Sequence, residues 1–256
     1  MTGQHSPKAT ELINEINTYF SKYRKPSDWQ IKLLKKKADS LKGKIADSFY
    51  YGLLGSISAL EDDIPALKQH FQTAIKLSPA SNQPQYQYLV ALKNRGRCSD
   101  ELVLCKDMLT QFPDHSEEIF SWLAESAFMS CRMNEALYYL EQIKNRDESN
   151  SLYHHITESQ LIFKTAGLSD EVASHLYNLA YDLLQKFGIY FSSTGLIVTT
   201  RGLVHCQLYV DLPIDHIYDL NYQLAAELVH STENTYSDVV LFEFNSIDVF
   251  EERAAA

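Results

Sequence analysis

Apolar residues recur every three or four positions through the first two thirds of the chain, in stretches of 12–18 residues separated by short polar breaks. This period is that of an amphipathic helix. A break at Pro26, Ser27 and Asp28 divides two N-terminal helices within residues 10–43. The residues predicted to be buried are Leu12, Ile13, Ile16 and Phe20 in the first helix, and Trp29, Leu33 or Leu34, Ala38 and Leu41 in the second.

A repeat of helix pairs follows these two helices. Pro79 and Pro113 lie 34 residues apart and each follows a helical pattern. The clearest frame, residues 48–81, is marked by Tyr51, Leu54, Gly55, Phe71, Ala74 and Pro79. A frame over 82–115 matches mainly at Pro113, and a frame over 117–150 is marked by Phe120, Leu123, Ala124, Ala136 and Leu137. Residues 48–150 therefore resemble the tetratricopeptide-repeat (TPR) family, and a further helix pair is predicted over 152–187.

The resemblance implies a solenoid in which the first helix of each pair lines a concave groove that binds a partner peptide. The family's groove positions, carried across, give the predicted partner-binding residues Phe49, Tyr86, Val90, Lys93, Glu125 and Phe128. The positions of the family's carboxylate clamp hold Gly52, Ser56, Tyr86, Val90, Ser121 and Glu125. The basic clamp is therefore absent. An apolar helix or extended segment is the expected ligand, unless these aromatic residues serve only in packing.

The composition changes after Gly188. Residues 189–192 and 196–200 are rich in β-formers, with Ser193-Thr194-Gly195 predicted as a turn between them. A strand is predicted over 203–210, a helix after Pro213 and a last strand over 239–244, in the order ββαβ. The predicted fold is mainly α: a TPR-like helical domain over 1–187, then a small α+β domain over 188–253. Residues 254–256 are interpreted as a cloning scar.

Charge is distributed unevenly along the chain. The formal net charge is −10, yet residues 1–45 carry ten Lys/Arg and four Asp/Glu. The acidic remainder argues against nucleic acid as the general partner, because phosphate contacts require Lys and Arg. Residues 22–44 form a basic stretch. It is either a solvated helix face or a contact surface for an acidic partner or nucleic acid. Its central residues are Lys32, Lys35, Lys36 and Lys37.

The sequence contains no recognisable catalytic or cofactor motif. The cysteines Cys98, Cys105, Cys131 and Cys206 form no CxxC pair and have no zinc spacing, so buried free thiols are expected. The acidic residues from Asp211 to Asp219 are interpreted as caps and favourable charges near the N-terminus of a helix. The alternative is that they bind a divalent cation or act as an acid/base pair. No metal and no cofactor are predicted.

These features predict a protein-binding adaptor that holds a partner protein in its groove. The strand over 239–244 has an open edge, which suggests a second contact or a homodimer formed through the C-terminal strands. One alternative is a regulatory or neutralising subunit that uses the basic stretch 22–44. A second is an enzyme that uses the Asp211–Asp219 cluster. No apolar run approaches the ~18 residues of a membrane span, and the polar N-terminal 30 residues predict a cytoplasmic location.

Overall fold

The computed structural model describes residues 7–22, 24–144, 151–199, 202–231 and 239–248. The chain divides into two compact units, Met1–Arg95 and Gly96–Ala256. Helices predominate in both units, and a three-stranded sheet forms near the C-terminus of the second. This confirms a mainly α chain with a small C-terminal sheet. The boundary predicted near residue 188 lies inside the second unit.

The described residues of the first unit form the helices α1 (Pro7–Phe20), α2 (Asp28–Asp39), α3 (Asp47–Glu61), α4 (Ile64–Leu77) and α5 (Gln83–Lys93). The start of α2 is fixed by a capping box in which Ser27 and Gln30 bond to each other's backbone N–H groups. Leu34 and Ala38 are fully buried, as their helical spacing predicts. The prediction for Trp29 is wrong, because its side chain is 70% exposed.

Helices α3 and α4 pack closely because a glycine faces an aromatic ring. A Cβ atom added at Gly55 would lie 2.6 Å from the ring of Phe71. That ring is fully buried and stacks on Tyr88 of α5, with centroids 4.9 Å apart. Leu67 and Ala74 are fully buried on the same side of α4. The small residue in the 48–81 frame thus makes room for the aromatic residue.

The described residues at the start of the second unit form the α-helices α6 (Cys98–Gln111), α7 (Ser116–Met129), α8 (Met133–Glu141), α9 (Ser151–Ala166) and α10 (Asp170–Lys186). Helices α7 and α8 pack against each other, and Ala124 of α7 and Ala136 of α8 are both essentially inaccessible to solvent. The rings of Phe120 and Tyr139 stack with centroids 6.4 Å apart. These contacts fall in the frame predicted over 117–150.

The sheet has the strand order β1 (Phe191–Val198), β2 (Val204–Val210), β3 (Val240–Ser246), and α11 (Ile214–Ser231) joins β2 to β3. Strand β2 is antiparallel to β1 and parallel to β3. The ββαβ order is confirmed, but the turn predicted at Ser193-Thr194-Gly195 is wrong, because these residues lie inside β1. A Cβ at Gly195 would lie 3.3 Å from the ring of Tyr209 on β2. The glycine leaves room for that ring and does not form a turn.

Throughout the described part of the chain, every helix is too short or too polar to cross a lipid bilayer.

Candidate functional site

A cleft of about 310 Å³ opens in the first unit between helices α1, α3 and α5. Its deeper surface is apolar and includes Ile16, Leu53 and Ala91, each at most 3% exposed. Val90, on α5, is 41% exposed at its rim. The lining residues in the described part of the chain are Ile13, Ile16, Asn17, Phe20, Gly52, Leu53, Ser56, Gln83, Tyr86, Gln87, Val90 and Ala91. Apolar walls with a few polar groups are typical of a binding site.

The polar groups of the cleft are neutral. Asn17, Gln83 and Gln87 carry side-chain amides, and none of the lining residues that the structure describes bears a formal charge. The hydroxyl of Ser56 donates to the backbone oxygen of Gly52, at 3.1 Å. Gly52 leaves room for the side chain of Gln87, because a Cβ added at position 52 would overlap Oε1 of Gln87. The cleft can therefore take apolar groups and bond to neutral peptide groups, but it offers no charge to neutralise a carboxylate or phosphate.

The structure separates the predicted groove residues into two sets. Tyr86 and Val90 line the cleft, and Lys93 is exposed at the end of α5. Phe49 is 7% exposed and belongs to the core of the first unit. In the second unit, Glu125 is partly buried and Phe128 is 4% exposed in the core. Neither phenylalanine presents its ring on the surface.

One wall of the cleft was not predicted. Ile13, Asn17 and Phe20 of α1 face it, although the sequence assigned α1 only to the segment before the repeats. Ile13 and Phe20 are partly buried, whereas Leu12 and Ile16 are core residues. The width of the apolar stripe on α1 could have indicated this second contact surface, because packing on α2 alone requires a narrower stripe.

The four lysines of the basic patch divide into two pairs. The ammonium of Lys35 donates to both carboxylate oxygens of Glu61, at 2.9 and 2.7 Å, and that of Lys37 lies 2.6 Å from Glu15. These ion pairs satisfy the two lysines within the first unit. Lys32 and Lys36 point outward beside Trp29 and are exposed. Half of the predicted patch is thus engaged in ion pairs within its own unit, although the side chains of Lys35 and Lys37 are still 44% exposed.

The cysteines are free and buried, as predicted. Cys98 Sγ lies 3.6 Å from the hydroxyl of Tyr177, which donates to the backbone oxygen of Gly96 at 3.2 Å. A hydrogen bond with Cys206, together with burial, raises the pKa of Cys131 well above its usual range. Burial likewise raises the pKa of Tyr177. A nucleophilic cysteine needs the thiolate form, so these groups pack in the core as neutral side chains.

The acidic cluster near α11 does not converge on one point. Asp211, Asp215 and Asp219 are all exposed, and within the described ranges no three His, Cys, Asp or Glu side chains lie close enough to hold a metal ion. His205 and Cys206 face opposite sides of β2, as expected for adjacent strand residues. Cys206 is buried, whereas Nε2 of His205 lies 3.0 Å from Oε2 of Glu243.

The edge of β3 that faces away from β2 is covered at the peptide group of Phe244. Asn221 of α11 donates to the carbonyl oxygen of Phe244 at 2.9 Å and accepts from its N–H at 2.8 Å. A second chain adding a strand here would have to displace this amide. The edge expected to mediate a homodimer is therefore occupied from within the chain at Phe244.

Comparison with known proteins identifies no relative: no family model, no curated protein and no solved structure matches this chain.

Proposed function

We propose that this protein is a protein-binding adaptor whose cleft between α1, α3 and α5 holds an apolar segment of a partner protein. The observation that carries the proposal is the lining itself. Three helices converge on an apolar surface that includes the partly exposed side chains of Tyr86 and Val90. Exposed apolar surface in a concave site is typical of protein or ligand recognition.

The chemistry of the lining supports a peptide as the ligand. Amides on Asn17, Gln83 and Gln87 can each donate to and accept from a peptide group. The lack of charge in the cleft favours apolar side chains over a terminal carboxylate or a phosphorylated residue. A helical or extended segment with large apolar side chains fits this combination.

The helix spacing supports a TPR-like origin for this surface. The first helices of successive pairs start at Asp47, Gln83, Ser116 and Ser151, close to the 34-residue period of a TPR. The cleft residues Gly52, Ser56, Tyr86 and Val90 fall on positions that line the groove in that family. We therefore interpret α3 and α5 as first helices of TPR-like pairs, with α1 as an additional wall.

The test is quantitative affinity capture from the native host with three baits: the wild-type chain, Y86A/V90A and Y138A. Tyr138 is 57% exposed, lies on α8 and is not part of the cleft, so Y138A controls for the loss of an exposed tyrosine. We expect a stoichiometric partner that Y86A/V90A captures at least about tenfold less, since buried aromatic anchors dominate interface energies.

Titration calorimetry with the purified partner then measures the dissociation constant of each bait, and so the loss of affinity in Y86A/V90A relative to the wild type. Equal capture and equal affinity for all three baits would contradict a function of the cleft. Circular dichroism of each bait establishes that a lost interaction is not the result of unfolding.

A further inference from the structure

One side of helix α2 presents an aromatic residue and two cations to solvent. Trp29 is 70% exposed, and Lys32 and Lys36 are exposed on the same side, because their spacing of three and four residues aligns them along the helix. The opposite side, with Ile31, Leu34 and Ala38, is buried. Trp29, Lys32 and Lys36 are named here the cationic stripe.

One side of helix α11 presents exposed apolar side chains bordered by acidic residues. Ile214, Tyr218, Tyr222 and Val229 are 53%, 68%, 79% and 63% exposed. Spacings of four, four and seven residues place them in one line along the helix. Asp215 and Asp219 are exposed along one border of that line. These six residues are named here the acidic tyrosine stripe.

We propose that the cationic stripe of one molecule docks on the acidic tyrosine stripe of a second copy of the chain. The two surfaces are complementary in charge, Lys32 and Lys36 against Asp215 and Asp219, and each has large exposed apolar side chains to bury. The indole of Trp29 can pack among the tyrosine rings, and an ammonium over a phenol ring adds a cation–π contact. The wider charge distribution acts in the same direction, since residues 1–45 are basic and the remainder is acidic.

The two docking surfaces differ, so two modes of association follow from the same contact. Two copies can pair reciprocally in a two-fold dimer that uses both surfaces of each, or copies can add head to tail until a ring closes or a chain of molecules grows. A helix of 12 residues is about 18 Å long, so one contact is small and the association is weak. It depends on protein concentration and falls with salt, because exposed charges are screened within about 10 Å at 0.1 M.

The experiment is sedimentation velocity on the full chain from micromolar to millimolar concentration, at low and high salt. Two variants each remove one surface: W29A/K32Q/K36Q and Y218A/Y222A. All five changed side chains are exposed, so both variants should fold, which circular dichroism checks. We expect the mass of the wild type to rise with concentration, and each variant alone to associate at least about tenfold more weakly.

Mixing the two variants gives the decisive measurement. The intact acidic tyrosine stripe of W29A/K32Q/K36Q can take the intact cationic stripe of Y218A/Y222A, so the mixture should form a 1:1 dimer that does not grow further. A wild type that stays monomeric at millimolar concentration, or a mixture that stays monomeric, would overturn the proposal. Retention of a single-stranded oligonucleotide by a monomeric wild type, lost in W29A/K32Q/K36Q, would overturn it and assign the cationic stripe to nucleic acid.

Discussion

The side-chain amide of Asn221 bonds to the peptide group of Phe244 through both its donor and its acceptor. Nδ2 donates to the carbonyl oxygen at 2.9 Å, and Oδ1 accepts from the N–H at 2.8 Å. The amide copies the pairing that a neighbouring strand would supply, and it does so at the free edge of β3. It therefore ties α11 to the sheet and blocks an edge that could otherwise recruit another chain.

Replacing Asn221 by Ala should destabilise the second unit and expose this edge. Two hydrogen bonds of about 0.5–1.5 kcal/mol each are lost, so the free energy of unfolding in urea should fall by about 1–3 kcal/mol. Light scattering should also detect more association on partial unfolding. The control is Q223A, an exposed position two residues away on the same helix. Equal stability and equal scattering for N221A and Q223A would show that the amide has no such role.

Two glycines of α3 should respond oppositely to alanine, although helix propensity favours alanine at both by about 1 kcal/mol. At Gly55 the new Cβ would lie 2.6 Å from the fully buried ring of Phe71, which stacks on Tyr88. The ring cannot move aside, and overpacking costs about 1–3 kcal/mol. At Gly52 the new Cβ meets only the flexible end of Gln87.

We therefore expect G55A to lower the free energy of unfolding and G52A to preserve or raise it, as measured by urea denaturation. G52A should also displace Gln87 within the cleft and weaken partner binding. If G55A proves as stable as G52A, the close approach of α3 and α4 is not what requires the glycine.

Much of the fold could be predicted because periodicity and small residues report on packing directly. Gly55 and Phe71 each occupy a marker position of the repeat frame over 48–81, and the structure places the two residues in contact. The period of 3.6 residues located the helices. It did not determine which face of each helix points into the core, since a shift of one residue turns a side chain by 100° about the helix axis. That is why Trp29 is exposed and Phe49 is buried, opposite to their predicted roles.

The candidate site was predicted only in part for a related reason. Tyr86 and Val90 followed from the repeat frame. The wall formed by α1 lies outside any frame, and only tertiary packing brings Ile13 and Phe20 to the same cleft. The turn-forming residues Ser193-Thr194-Gly195 predict a turn but lie inside β1, because a glycine also occurs within a strand where a neighbouring ring, here that of Tyr209, needs the space.

The thiols should be unreactive in the folded protein. All four cysteines are buried, and burial raises the pKa of Cys105 far above its usual range. The reactive thiolate is therefore scarce as well as inaccessible. With Ellman's reagent at pH 8, we expect less than one equivalent to react in the native state and all four in guanidinium chloride. The variant S121C adds an exposed thiol and should contribute one rapidly reacting equivalent. Fast reaction of the wild type would place a cysteine at the surface.

His70 should make the first unit less stable in mild acid. The imidazole lies on α4 beside the ring of Tyr51, with centroids 6.1 Å apart. Burial, aided by Lys35 and opposed by Asp63, lowers its pKa from the ordinary value of 6.5. Well above pH 6.5 the side chain is neutral in both the folded and the unfolded chain, and its contribution to stability is complete. As the pH falls below 6.5, the unfolded chain takes up the proton first, so the folded state loses stability until its own imidazole titrates.

The measurement is the free energy of unfolding of the wild type and of H70Q between pH 7.5 and pH 5. The carboxylates common to both proteins cancel in the difference, which leaves the contribution of this one imidazole. We expect the wild type to lose stability relative to H70Q as the pH falls, with the change beginning near pH 6.5. Parallel curves, or a wild type that gains stability in acid relative to H70Q, would mean that the charged form is not disfavoured at this position in the folded chain.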